Sequence, residues 1–297
     1  MKKQLYGSLC LILATIIWGS TFIAQRVGMD HIGPFTFQAV RCGLAVIGLL
    51  PVIAIADNGK KDQKTFFSRW ADKKLWLAGV LCGIPLFLAC NLQQVGLTDT
   101  DAGKSAFLTA MYILFVPIIG IFQKKKPSLL LVVSVLLAAF GLYCLCGIGV
   151  TKILRSDLLL LGCALMFAVQ IIFVDKFAPS TDTLRLNLIQ ALVCAILSAI
   201  VMFFTETPTW SAIRDCWLPL AYAGFLSMGV AYALQIAGQK RISPTGASIL
   251  MSLESVFAVL FGWLLLQETL TLWEGIGCVL MFIAVILSNI PKKAGSN

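Results

Sequence analysis

Glu254 and Arg41 are charges set deep in apolar sequence, and both are residue types that hold ligands or protons. Glu254 lies near the middle of Pro244–Leu266, 23 residues with no other ionisable group. At about 1.5 Å per residue a helix of that length crosses roughly 30 Å of hydrocarbon. A carboxylate there costs about 2.5–3.5 kcal/mol on insertion scales, so it is expected to face a partner or a water-filled path. Three roles fit it: binding a proton that is exchanged for a substrate, pairing with a cationic substrate group, or a structural ion pair with Arg41. Arg41 sits seven residues into the second apolar stretch. Its guanidinium keeps its charge and so needs a carboxylate, carbonyl oxygens or an anionic ligand. A side chain of that length also reaches the nearer membrane interface by snorkelling.

Uncharged polar groups accompany them. Gln38, Asn91, Gln93, Gln94, Gln170, Gln190 and Gln235 all fall inside apolar stretches. Interhelical hydrogen bonds account for any one of these, but amides spread over five stretches fit a shared polar cavity better. Trp18, Tyr112 and Tyr232 add aromatic surface that packs between helices or stacks on a ligand ring. Trp263 stands close to a membrane boundary, where aromatic belts are normal.

The elements that must position these groups are membrane helices. Of 297 residues 59% are hydrophobic and 12% charged, against about 25% charged in soluble domains. Ten apolar stretches run approximately over 5–24, 34–56, 75–95, 105–122, 128–148, 157–174, 186–204, 217–237, 244–266 and 271–290. Each is long enough to cross as a helix, and no alternating pattern of a membrane barrel is present. Lys2 and Lys3 before an apolar run imitate a secretory signal, but the run is long and nine more follow, which fits an uncleaved first helix. Of the 23 lysines and arginines, 17 fall on the side of the amino terminus and 5 on the other, with Arg41 between them. This positive-inside bias predicts cytoplasmic termini at both ends, with 291–297 as a cytoplasmic tail. The net charge of +9 therefore reads as anchoring beside the membrane, and no nucleic-acid partner is expected.

Other chemistries find few residues. Most of the ten cysteines lie within apolar runs, as small packing residues do, and Cys144 and Cys146 point to different sides of one helix. With His31 the only histidine, neither a metal nor another cofactor is expected. Asp99 and Asp101 are the nearest approach to a paired-acid enzyme site and read as a solvated loop, so no enzyme activity is expected. A Gly-x-x-x-x-Gly-Lys-[Ser/Thr] loop is missing, which argues against ATP-driven pumping. Pro51, Pro85, Pro117 and Pro219 permit kinks, and Gly79 with Gly83 forms a close-packing face.

The chain also repeats. A shift of 142 residues matches Leu92-Gln93…Gly96 to Leu234-Gln235…Gly238, and also Leu108 to Leu250, Phe115 to Phe257, Gly120 to Gly262 and Phe140 to Phe282. The same shift sets Glu254 opposite Tyr112. Five stretches form one repeat, at 1–148, and five the other, at 157–290. An odd number of spans makes the second half re-enter from the opposite side, giving inverted topology. That is the architecture of many secondary transporters, with the ligand near the midplane between halves.

Trp18-Gly19-Ser20-Thr21-Phe22, followed by Pro34 and Arg41, resembles the opening of an EamA-type member of the drug/metabolite transporter superfamily. The run from Leu253 to Trp263, then Glu268-Thr269-Leu270-Thr271, is similar to the end of that family's second repeat. Two positions depart from its pattern: Ser255 stands where proline is frequent, and Lys126 near where the first repeat carries a glutamate. The resemblance implies an all-α integral membrane protein of ten transmembrane helices, and a secondary transporter of a small organic metabolite such as an amino acid. Export across the inner (plasma) membrane by alternating access is expected, with protons as the candidate coupling ion. A lipid flippase or scramblase on the same scaffold and a membrane-embedded lipid-modifying enzyme are the alternatives. The expected pathway residues are Glu254, Arg41, Gln38, Asn91, Gln93, Gln235, Trp18, Tyr112, Tyr232 and Gln170.

Overall fold

A computed structural model describes residues 2–59, 66–100, 102–122, 128–144, 154–266 and 271–288. The expectations placed on Asp101, Lys124-Lys125-Lys126-Pro127, Cys146, Glu268-Thr269-Leu270 and the tail 291–297 lie outside these residues. All regular elements among the described residues are helical. In chain order the first repeat contains α1 (Lys2–Met29), α2 (Pro34–Asn58), α3 (Lys73–Gly96), α4 (Ala102–Ala110), α5 (Tyr112–Phe122) and α6 (Leu129–Leu142). The second contains α7 (Arg155–Phe177), α8 (Thr183–Thr205), α9 (Trp217–Ala221), a π-helical stretch Tyr222–Ala231, α10 (Tyr232–Gln239), α11 (Pro244–Met251), α12 (Leu253–Leu266) and α13 (Leu272–Ser288).

Among the described residues eight helices are long and apolar enough to cross a membrane: Lys3–Met29, Pro34–Asn58, Lys73–Gly96, Lys104–Phe122, Arg155–Ser180, Thr183–Thr205, Trp217–Gln239 and Pro244–Leu264. The other two expected spans are shorter helices. Leu129–Leu142 has 14 residues and Leu272–Ser288 has 17, about 21 and 26 Å at the helical rise, against roughly 30 Å of hydrocarbon.

Local sequence explains the helix ends. Asp72 accepts a bond from Lys74 N and Asp182 one from Arg185 N, each satisfying an amide that the first turn leaves unpaired. Pro34 and Pro244 open α2 and α11, where the missing N–H costs nothing. The fourth and ninth expected spans are each broken midway, at Met111 and Ser252. At the second break Ser252 Oγ donates to Ile249 O at 2.8 Å, and Ser255 N to Ser252 O at 3.2 Å. These i to i+3 bonds interrupt the α ladder. The first break is likewise tightened, with Leu114 N donating to Met111 O at 2.9 Å.

The two repeats interlock. Helix α1 packs on α10, α11 and α12 of the second repeat, while α7 packs on α3, α4 and α5 of the first. Helices α2 and α8, equivalent members of the two repeats, lie together and antiparallel: Thr36 near the start of α2 meets Glu206 after α8, and Asp57 near the end of α2 meets Arg185 near the start of α8. Their register is not 142. Aligning the starts Pro34 and Thr183 requires a shift of 149; α2 and the connection 59–72 are together longer than α8 and the connection 206–216, which makes up part of the difference. The Gly79 and Gly83 face of α3 packs on Ile189 and Val193 of α8, as its spacing predicts.

Ser255 makes two bonds that proline could not, donating its N–H to Ser252 O and its Oγ to Ala106 O at 3.0 Å. It thereby ties α12 to α4. Ser255→Ala is expected to destabilise the protein by about 1 kcal/mol. A thermal-unfolding midpoint equal to that of the unsubstituted protein would show the tie to be idle.

Candidate functional site

The site forms where both helix breaks meet α1 and α10. A cleft there is lined by Trp18, Thr21, Phe22, Gln25, Arg41, Gln93, Tyr112, Phe167, Ile171, Ser227, Tyr232, Gln235, Met251 and Glu254. Glu254 is the second residue of α12 and Tyr112 the first of α5, so each break delivers one side chain to the cleft. The Tyr112 hydroxyl donates to Glu254 Oε1 at 3.1 Å. These two residues are 142 apart in sequence, as are Cys90 and Tyr232, whose Sγ and OH lie 3.7 Å apart. Residues that the duplication makes equivalent thus touch one another at the centre of the molecule.

The Trp18-Gly19-Ser20-Thr21-Phe22 segment gains a structural meaning here. Trp18, Thr21 and Phe22 line the cleft. Gly19 lets α1 approach α12 closely, since a Cβ there would lie 2.9 Å from Glu254 O. Ser20 shares a hydrogen bond with the Tyr222 hydroxyl. The Trp18 and Tyr232 rings meet edge-on at 5.0 Å, and Tyr112 meets Phe167 at 6.4 Å, both in favourable aromatic geometry.

Arg41 is 3% exposed and Glu254 6% exposed, but they form no ion pair with each other. The Arg41 Nε donates to Gln38 Oε1 at 2.6 Å, and its guanidinium stands 6.0 Å from the centre of the Phe37 ring. Of the alternatives open for these two residues, the structural Arg41–Glu254 bridge is absent in this conformation, and Arg41 does not snorkel to an interface. Arg41 lies on the buried face of α2, with Gln38, Cys42 and Ala45, so the side chain finds the cleft before it finds the surface.

Amides form two chains, one in each half, and the first begins at Arg41. In the first, Gln38 Nε2 donates to Gln94 Oε1 at 3.3 Å and Gln25 Nε2 to Gln94 Oε1 at 2.7 Å. Gln25 Nε2 also reaches Gln93 Oε1 at 3.2 Å, and Gln93 Nε2 donates to Thr109 Oγ1 at 3.3 Å. In the second, Gln190 Nε2 donates to Asn187 Oδ1 at 2.9 Å and Gln170 Nε2 to Gln190 Oε1 at 3.2 Å. Gln235 Nε2 then donates to Gln170 Oε1 and Gln239 Oε1, both at 3.0 Å. The Gln38–Arg41 and Asn187–Gln190 pairs are equivalent, each four and seven residues beyond the start of its helix. Buried polar side chains satisfied in this way hold one arrangement firmly.

Two buried polar atoms on the wall remain without a partner, the donor Trp18 Nε1 and the acceptor Gln235 Oε1. Burial of such groups is costly unless a ligand or water completes them. With Arg41 and Glu254 the cleft therefore offers a guanidinium, a carboxyl group, a donor and an acceptor between aromatic walls.

Seven of the ten expected pathway residues line the cleft: Glu254, Arg41, Gln93, Gln235, Trp18, Tyr112 and Tyr232. Gln38 and Gln170 stand behind the wall, bonded to Arg41 and Gln235. Asn91 points elsewhere, donating to Phe87 O and Ser198 Oγ, both at 2.8 Å. Gln25, Thr21, Phe22, Phe167, Ile171, Ser227 and Met251 were not expected there. Gln25 falls just beyond the apolar stretch ending at 24, while α1 continues to Met29. Its polarity reads as a loop unless the helix is known to extend.

Apolar helices around a buried polar cleft define a multi-pass membrane protein with an internal polar site. The chain belongs to the EamA-like transporter family, whose profile matches residues 5–147 and again 154–290, within the drug/metabolite transporter superfamily. An uncharacterized transporter of Archaeoglobus fulgidus is 33% identical over 294 residues, covering 97% of this chain and 87% of that one. The uncharacterized transporter YoaV of Bacillus subtilis is 23% identical, covering 97% of both. A solved crystal structure has a TM-score of 0.75 over 95% of both chains at 17% identity, a likeness of fold alone.

Proposed function

We propose that the protein is a secondary transporter that exports a small zwitterionic metabolite, of amino-acid type, by alternating access between two inverted five-helix repeats. The observation that carries this reading is the placement of Arg41 and Glu254 on one cleft without pairing to each other. A substrate carboxylate satisfies the first and a substrate ammonium the second. The rings of Trp18, Tyr112, Phe167 and Tyr232 receive an apolar side chain, and Trp18 Nε1 and Gln235 Oε1 supply a free donor and acceptor.

Ten transmembrane helices with both termini in the cytoplasm follow if α6 and α13 also cross, and the distribution of basic residues supports that orientation in a bacterial-type inner membrane. The antiparallel packing of α2 on α8 supports inverted repeats. Proton exchange through Glu254 is the proposed coupling, because only one half supplies an acid at the paired position.

The test is thermal stabilisation of the purified protein by a panel of amino acids and amines, followed by counterflow in liposomes. At least one amino acid is expected to raise the unfolding temperature of the unsubstituted protein. The Gln235→Ala variant is expected to lose that shift while keeping its ligand-free unfolding temperature within a few degrees. Stabilisation by phospholipids alone, with no amino acid effective, would sink this reading in favour of lipid translocation.

A further inference from the structure

Helices α2 and α8 are fastened to one another at both ends and in the middle. At the start of α2 the Glu206 carboxylate accepts from Phe35 N at 3.0 Å, Thr36 N at 2.8 Å and Thr36 Oγ1 at 2.6 Å. An acid from outside the helix thus satisfies amides that α2 leaves unpaired, at the end where the helix dipole favours it. At the opposite end Asp57 takes the Arg185 guanidinium through both oxygens. Arg69 stands 3.8 Å from Asp57, Asp182 lies 3.7 Å from Arg185, and the Trp70 ring lies 5.2 Å from the guanidinium. Bidentate pairs of this kind are among the stronger polar contacts. Midway, Cys42 Sγ lies 3.4 Å from Cys194 Sγ, with Ala45 and Ala191 in the same buried cluster.

These fastenings are repeat equivalents. The shift of 149 that aligns the starts of α2 and α8 carries Thr36 onto Arg185 and Asp57 onto Glu206. It also carries Cys42 onto Ala191 and Ala45 onto Cys194. The duplicated chain thus keeps an acid at the end of each helix and grips the start of the other with it, once through backbone amides and once through an arginine. Both grips are closed in one structure, so this interface is unchanged when two inverted halves trade conformations.

The parts that must separate lie elsewhere. Gly238, at the end of α10, is covered by α1: a Cβ there would lie 2.7 Å from Leu11 Cγ and 2.9 Å from Gly7 O. Its equivalent Gly96, at the end of α3, is covered by α7, with a Cβ 2.6 Å from Leu160 Cγ. Leu11 and Leu160 are themselves 149 apart. Parting such contacts loses dispersion between close surfaces, whereas parting the grips strands buried or half-buried charges. The Leu-Gln-x-x-x-Gly sequence shared by the repeats ends on these two glycines, one turn from Gln93 and Gln235 of the cleft.

We infer that Asp57 and Glu206 are paired positioning residues that keep α2 and α8 together as a fixed frame through the transport cycle, while opening occurs where Gly96 and Gly238 pack on Leu160 and Leu11. The inference rests on the transport reading above. The frame carries Gln38, Arg41, Asn187 and Gln190, so it holds one charge of the cleft in place while the covering helices move.

The native thiols supply the test. Copper–phenanthroline removes two electrons and two protons from Cys42 and Cys194, and the resulting disulfide is mapped by mass spectrometry. The cross-linked protein in liposomes is expected to move substrate within about twofold of the reduced protein, a difference well under the tenfold that ~1.4 kcal/mol represents. Transport lost on cross-linking and regained on reduction would overturn the frame. Asp57→Asn and Arg185→Gln are each expected to raise KM several-fold, and the double change to cost little more than either alone. Costs that simply add in the double variant, with a wild-type unfolding temperature, would count against the grip.

If the reduced protein moves no amino acid, the transport reading fails and not the frame. The frame is then decided by electron–electron resonance between spin labels on exposed positions near each end of the α2–α8 pair. One narrow distance at both ends, with and without a proton gradient, is the expected result. Two populations at either end would overturn it.

Discussion

Glu254→Gln is expected to abolish the response of uptake to an imposed proton gradient while leaving substrate counterflow measurable. Glutamine keeps the shape of the side chain and an oxygen that accepts from Tyr112, whose hydroxyl lies 3.1 Å from Glu254 Oε1. It removes only the exchangeable proton and the negative charge. If the proton carried by Glu254 drives export, gradient-driven flux falls at least about tenfold, which corresponds to ~1.4 kcal/mol of lost driving interaction. Counterflow needs no net proton movement and so survives, with weaker affinity for the substrate ammonium. Proteoliposomes loaded at two pH values measure both quantities in one preparation. Gradient dependence unchanged in the variant would remove Glu254 from coupling and leave it as a ligand for the substrate cation.

The duplication explains why Glu254 could be placed from sequence. A single shift of 142 sets Glu254 opposite Tyr112 and Gln235 opposite Gln93, and all four line the cleft. Residues near an axis relating two halves must lie close to their own equivalents, so register alone carries spatial information there. The same shift fails for α2 and α8, whose register is 149, in part because α2 and the connection 59–72 are longer than their counterparts. The Glu206 and Asp57 grips were hidden for that reason. Both acids also stand at helix ends, where an exposed carboxylate is the ordinary expectation.

Other parts were beyond a reading by hydropathy. Phe167, Ile171 and Met251 are apolar residues in apolar stretches, and nothing in their type separates a cleft wall from a lipid face. Gln25 and Gln239 lie past the apolar limits of their stretches yet inside the continuing helices. The crossing of α1 onto the second repeat and α7 onto the first leaves no trace in composition. It is visible only as Gly19, Gly96 and Gly238, whose missing side chains make room for the partner helix.

Arg41 decides whether the cleft recognises a carboxylate. Its Nε donates to Gln38 Oε1 at 2.6 Å, which fixes the plane of the guanidinium and directs its remaining donors. Lysine at this position retains the charge and loses both the Nε bond and the planar fork. Arg41→Lys is therefore expected to weaken amino-acid binding by about 10- to 100-fold, the loss of one or two charge-assisted hydrogen bonds. Arg41→Leu removes the charge as well and is expected to bind an amino acid no better than the amine that lacks its carboxylate. The informative quantity is the ratio of the two affinities, measured by thermal shift or calorimetry on each variant. Misfolding lowers both affinities together, but loss of a carboxylate site lowers only one. A preference for the amino acid that persists in Arg41→Leu would place the carboxylate elsewhere, with Trp18 Nε1 as the donor left to receive it.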